Sequence, residues 1–108
     1  MAWHLAIRPH AAWDLDDHAE YLALYASVSV ANRFHTMIEK AFNEIIAAPE
    51  LGSPWESPQE KLQGLRFRLV QRFKNHVVFY RITGRCIEIV RVLHGSQNLE
   101  QHLEEAAE

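Results

Sequence analysis

The chain of 108 residues has one cysteine, four glycines and four prolines. It has no apolar run near the roughly 20 residues that a membrane helix needs, so no membrane span is expected. A single cysteine cannot form an internal disulfide, which fits a reducing compartment, the cytoplasm. Cys86 falls inside a predicted strand, where a thiol reads as a small hydrophobe and not as a nucleophile. The opening residues, MAWHLAIRPH, lack the charged start and long apolar stretch of a signal peptide. No internal repeat and no low-complexity segment is present, which excludes solenoids and disordered tracts. At this length one domain, residues 1–108, has room for a single core. His4, His10, His18, His35, His76 and His102 show no metal-ligand spacing. Neither a metal nor a cofactor is therefore expected.

Net charge is small, but the charges are unevenly placed. The net charge is −3. Between Lys61 and Arg91 there are eight basic residues and one acid, Glu88, giving +7. Residues 1–60 carry −6 and residues 92–108 carry −4. Such asymmetry implies an anionic partner, or acidic helices that balance the basic strands within the fold. The net negative charge argues against a dedicated RNA binder, because phosphate binding rewards positive charge.

The hydrophobic pattern gives an α+β order. Trp3, Leu5 and Ile7 alternate with smaller or polar residues and predict a short first strand. Pro9 suits the first turn of a helix, and the spacing of Ala11, Leu15, Leu22 and Ala26 carries that helix from about His10 to Tyr25. Its acids, Asp14, Asp16, Asp17 and Glu20, read as a solvated face near the positive end of the dipole. His18 reads as a core histidine. Ser29 is a candidate cap for a second helix. There Ala31, Phe34, Ile38, Ala41, Phe42 and Ile45 form one apolar stripe. Pro49 and Gly52 stop it, and the short link predicts an antiparallel helical hairpin. Residues 50–63 read as a long loop. Trp13 and Trp55 are candidate partner contacts or caps of a core edge.

Three strands follow as an antiparallel meander. Leu65, Phe67 and Leu69 alternate in the first, Val77, Phe79 and Arg81 in the second, Ile87, Ile89, Arg91 and Leu93 in the third. Turns are predicted near Lys74-Asn75 and at Thr83-Gly84. The last two strands are apolar on both faces. Val78, Tyr80, Val90 and Val92 are expected to leave an apolar sheet face in need of a partner. Leu99 and Leu103 share one face of a short acidic C-terminal helix.

Several local signatures sit along this order. They are Asp14-Leu15 with Tyr21-Leu22, Pro49-Glu50-Leu51-Gly52, Gly64-Leu65-Arg66, Val77-Val78-Phe79-Tyr80-Arg81, and Ile89-Val90-Arg91-Val92-Leu93-His94-Gly95. Together they resemble the RelE/ParE superfamily of toxins from bacterial type II toxin–antitoxin systems, and the ParE-like branch more than the RelE-like one. The likeness runs from about residue 5 to 103. It implies a RelE/ParE-like α+β fold and a cognate antitoxin as partner in a hetero-oligomeric complex. It also implies DNA gyrase as target, with growth arrest and plasmid or locus maintenance. ParE-like chains commonly carry an Arg-Asp pair after the last strand, where this chain has Gln97-Asn98. That departure supports a third possibility, a degenerate toxin that only binds antitoxin.

The alternative within the superfamily is a metal-independent, ribosome-dependent mRNA endonuclease. It would need cations around the scissile phosphate and groups to move protons. Arg66, Arg81, Arg91 and His94 are the candidates, with Arg68 and Tyr80 beside them, and the three strands could bring the arginines to one face. Arg91 has a second reading, half buried and paired with an acid, either a neighbour of Glu88 or a helix carboxylate. His94 reads more readily as the end of a strand than as a catalyst, since it has no visible partner. The binding reading, in which the chain is not an enzyme, places partner contacts at Tyr80, Arg81, Arg91 and Gln97.

Overall fold

A computed structural model describes residues 3–106. The elements run β1 (His4–Ile7), α1 (Pro9–Tyr25), α2 (Val28–Ala47), β2 (Ser53–Pro54), β3 (Arg66–Val70), β4 (Phe73–Thr83), β5 (Cys86–His94) and α3 (Leu99–Ala106). Short 3-10 turns at Pro49–Leu51 and Glu60–Leu62 punctuate the long loop. The sheet order is β1-β5-β4-β3-β2, with β1 parallel to β5 and the remaining pairs antiparallel. This is the expected strand, helical hairpin, meander and C-terminal helix, with β2 added to the outer edge by the loop.

Two cores flank the sheet. On one face, Phe34, Ile38, Ala41, Phe42 and Ile45 of α2 pack against Val78, Tyr80, Ile87, Ile89 and Val92. The stripe read from the sequence is thus the buried face of α2. On the other face, Leu103 and Ala106 of α3 join Leu62, Leu65, Val77, Phe79, Val90 and Leu93. The chain therefore covers both faces itself. Val78, Tyr80, Val90 and Val92 are all at most 3% exposed, so the expected open apolar sheet face does not exist. The loop was the missing cover: its Trp55, Leu62 and Leu65 complete the second core.

Local punctuation differs from the sequence reading in four places. Ser27, not Ser29, caps α2, accepting from the Val30 amide at 3.1 Å. The β3–β4 turn is Gln71-Arg72, with Arg72 at φ +67°, and Lys74-Asn75 belongs to β4. Residues 74–76 are extra there, because Leu69 faces Val77 and Val70 faces Phe73. The β4–β5 turn is Gly84-Arg85, one residue later than expected, with Gly84 at φ +59°. A glycine accepts that left-handed backbone without steric cost. Finally, a bulge lies between Phe79 and Tyr80, which face Arg91 and Ile89. Val90 is the extra residue, and the inside–outside alternation of β5 reverses beyond it. Val92 consequently joins the helical core and Leu93 the α3 core.

Candidate functional site

The arginines within the meander strands bond back to the fold, whereas Arg72 and Arg85 at its turns are exposed. Arg66 Nη1 donates to the carbonyls of Glu50 (3.0 Å) and Gly52 (2.9 Å). Beside it, Tyr80 Oη donates to the Pro49 carbonyl at 2.6 Å. Burial raises the Tyr80 hydroxyl pKa above its ordinary value, which keeps it a donor. Arg68 pairs with Glu44 of α2 at 2.9 Å. Arg81 donates to the carbonyls of Lys61 and Gln63. These bonds pin both ends of the long loop, which would otherwise present orphan carbonyls at its tight turns.

Arg66 lies opposite Tyr80 in register, so Arg81, the next residue of β4, projects from the other face. Arg66, Arg81 and Arg91 therefore do not converge on one face, as the nuclease reading requires. His94 is farther still. It faces His76, four residues before Tyr80 on β4, about 13 Å along the strand. Tyr80 is fully buried, so it anchors the loop and is not a surface contact.

Arg91 is buried, at 8% exposure, and its partner is the helix carboxylate of Asp14. Nε and Nη2 each reach an Asp14 oxygen at 2.7 Å, and Nη1 donates to the His102 carbonyl of α3 at 3.0 Å. Asp14 was expected on a solvated face with its neighbours, but only Asp16, Asp17 and Glu20 are exposed. The reason lies at the edge of β5. β1 pairs with β5 only as far as Ile89, and the chain then turns into α1. Asp14 Oδ2 accepts from the Val92 amide at 3.0 Å, and His18 Nε2 donates to the Val92 carbonyl at 3.0 Å. Two side chains one helical turn apart thus replace the missing strand.

Beyond this edge lies a recess of about 390 Å³ lined by His18, Tyr21, Leu22, His76, His94, Ser96 and Gln97. The three imidazoles form a column. The ring centroids of His18 and His76 are 4.9 Å apart and those of His76 and His94 are 5.0 Å apart, with near-perpendicular planes. His76 is 8% exposed, and its Nδ1 has no hydrogen-bond partner. Burial, then the neighbouring His18 and His94, lower its pKa to about 4. Gln97, expected to offer its amide to a partner, is half-buried, and its Oε1 accepts from the His94 amide at 2.6 Å. Asn98 Oδ1 accepts from the Gln101 amide at the start of α3. Among the described residues, no group of acids, histidines and cysteine is arranged to hold a metal ion. The sequence reading missed this column because its members lie 58 and 18 positions apart. The one available signal was that a β4–β5 hairpin would bring His76 opposite His94.

The apolar surface that remains lies mainly on the helical hairpin. Trp13, Tyr21, Leu24, Tyr25 and Val28 are each more than 60% exposed. The Tyr21 and Tyr25 rings pack in a tilted pair with centroids 4.8 Å apart. Trp55 is not part of this surface; its Nε1 donates to Glu100 of α3 at 3.0 Å. Ser57 and Gln59 donate to the same carboxylate, and these hydrogen bonds, Ser57 foremost, lower the Glu100 pKa.

Comparison with known proteins agrees with this fold. The solved structure of a chromosomal ParDE toxin–antitoxin system from P. aeruginosa superposes with a TM-score of 0.71 at 19% identity. The match covers 86% of this chain and 96% of that one. The RelBE2 toxin–antitoxin complex from Mycobacterium tuberculosis gives 0.58 at 20% identity, covering 87% and 99%. These likenesses establish the fold. In sequence, the chain is 34% identical over 90 residues to Toxin ParE1 of Caulobacter vibrioides, covering 83% of this chain and 86% of that protein. The family model described as ParE toxin of type II toxin-antitoxin system, parDE, matches residues 5–99. With nearly the whole domain matched, the chain belongs to the ParE toxin family of the RelE/ParE superfamily.

Proposed function

We propose that this protein arrests growth by binding a target protein, DNA gyrase, and that a cognate antitoxin neutralises it by forming a hetero-oligomeric complex. The observation that carries the reading is the engagement of Arg66, Arg81 and Arg91. Each guanidinium is spent on a backbone carbonyl or on Asp14, and none stands beside His94. A phosphate-cleaving site needs preorganised cations and a proton carrier around one point. A binding surface needs exposed apolar area with a charged rim, which the hairpin offers through Trp13, Tyr21 and Leu24. Exposed Arg72, Lys74 and Arg85 supply cations at the sheet ends for an acidic partner.

Two assays test this. Purified protein added to gyrase and supercoiled DNA should inhibit supercoiling and accumulate cleaved DNA, while mRNA on translating ribosomes stays intact. Intact gyrase activity together with codon-specific mRNA cuts that vanish in Arg81→Ala or His94→Ala would replace the proposal with the endonuclease. A second reading, a degenerate toxin that binds antitoxin alone, is favoured by Gln97, whose amide oxygen is engaged inside the fold where family members carry a cation. Unaffected growth, with antitoxin still bound, is the outcome that selects it.

A further inference from the structure

Within the column of His18, His76 and His94, the outer two rings hydrogen-bond the backbone of Val92 and Ser96, whereas His76 Nδ1 has no partner. His76 is enclosed by the Phe34 and Phe73 rings at 5.0 and 6.1 Å on the core side. On its other sides stand His18 of α1 and His94 of β5. It is delivered there by the extra residues 74–76 of β4, a bulge of the kind that re-aims a side chain. A buried polar atom without a partner costs free energy; His76 Nδ1 is such an atom, and His76 lines the open recess.

The hydrogen bonds fix what the other two rings offer. The Ser96 amide can only donate, so His94 Nδ1 accepts it at 3.1 Å and the proton of neutral His94 sits on Nε2. The Val92 carbonyl can only accept, so His18 Nε2 carries its proton, and its Nδ1 is the nitrogen free to gain one. Among the described residues, no carboxylate is hydrogen-bonded to any of the three rings; Asp14, one helical turn before His18, is occupied by Arg91 and the Val92 amide. Asp17 and Glu20 flank His18 and Tyr21 in sequence but are exposed, as are Lys74 of β4 and His35 of α2. The recess thus gathers imidazoles that repel one another when charged and lacks the anion that would relieve them.

We propose that this recess is a proton-coupled site for one carboxylate side chain of a protein partner, with exposed Tyr21 and Tyr25 receiving the apolar residues beside it. The inference rests on the reading of this chain as a partner-binding protein. A carboxylate seated among the rings favours the imidazolium form, so docking takes up a proton from solvent. The carboxylate itself stays ionised. A partner's side chain is preferred to a free anion because the recess is open and its lining residue Tyr21 packs against exposed Tyr25 at the surface. Affinity then rises as pH falls from the bound-state pKa of the column toward its free value, by up to about tenfold per pH unit for one proton.

The test uses the purified chain, imidazole NMR resonances, and two probes, acetyl-Leu-Glu-Leu-amide and its Gln counterpart. The expected result is saturable shifts of the His18, His76 and His94 rings by the Glu probe, tighter at pH 5.5 than at pH 7.5 by roughly tenfold or more. His4, His10 and His35 should not follow. The preference over the Gln probe should disappear in His76→Phe. Should that variant misfold, His94→Gln, which keeps an acceptor for the Ser96 amide, should weaken the Glu preference instead. Equal binding of the two probes, or shifts that bypass the three rings, would overturn the site. Acetate binding as tightly as the Glu probe would overturn its assignment to a partner's side chain. These readouts use no gyrase, ribosome or growth assay, so their failure is separable from failure of the toxin reading.

Discussion

Asp14 and Arg91, 77 residues apart in the chain, meet in two hydrogen bonds of 2.7 Å at the edge of β5. The pair ties α1 to the sheet, and through the His102 carbonyl it ties α3 to both. Removing one member leaves the other charge buried. Asp14→Ala also orphans the Val92 amide. The expected loss is about 3–5 kcal/mol of folding stability, read by urea unfolding. A loss under about 1 kcal/mol would mean that the pair is solvated and is not a clasp.

Gly52 sits against the ring of Tyr80, where a Cβ would come within 2.7 Å of Cζ and overlap the hydroxyl. Gly52→Ala must therefore displace Tyr80 and its bond to Pro49, at about 1–3 kcal/mol. Tyr80→Phe in the same chain should recover part of this, since the hydroxyl is the first atom struck. No difference between the single and double variants in thermal unfolding would refute the steric account.

Arg72 holds a left-handed backbone at φ +67°, which costs a residue with a Cβ about 1–2 kcal/mol. Glycine relieves that strain but gives the unfolded chain more freedom. The net expectation for Arg72→Gly is a gain of up to about 1 kcal/mol, visible as a higher denaturation midpoint. A loss of stability would show that the exposed Arg72 side chain contributes more than its backbone costs.

Stability should depend on pH through His76. Its pKa falls from 6.5 unfolded to about 4 folded, so the unfolded chain binds the extra proton first. Stability is therefore full above pH 6.5 and declines as pH falls toward 4, by at most about 1.4 kcal/mol per pH unit. Glu100 acts lower on the scale. Its lowered pKa gives stability above the ordinary carboxylate range that is lost as pH falls through the folded value. His76→Phe should remove the first decline and leave the second. Identical pH profiles for the variant and the parent chain would exclude His76 as the source.

At the tip of the sheet, Gln97→Arg restores a cation where ParE-like chains carry one but deletes the acceptor for the His94 amide. The expected cost is about 1 kcal/mol of stability. Growth arrest on expression should strengthen, since one charge-assisted contact is worth about 1.5–3 kcal/mol to a target complex. Antitoxin affinity should change little. Strong arrest by the parent chain, with no gain from Gln97→Arg, would place potency elsewhere.

Much of the architecture is a matter of periodicity, and periodicity is local. The stripe from Ala31 to Ile45 dictates the buried face of α2 whatever it packs against. The alternation in residues 65–93 likewise dictates strands and a meander, and the order of signatures places the family. Tertiary structure decided what depends on register. One extra residue at Val90 reverses the faces of β5, and three extra residues before Val77 turn His76 toward His18 and His94. The partners of Arg66, Arg81 and Asp14 were decided there as well. A basic side chain looks the same in sequence whether it reaches for a phosphate or for a carbonyl of its own chain. Burial and geometry, which exist only once the loop and helices have closed over the sheet, select between them.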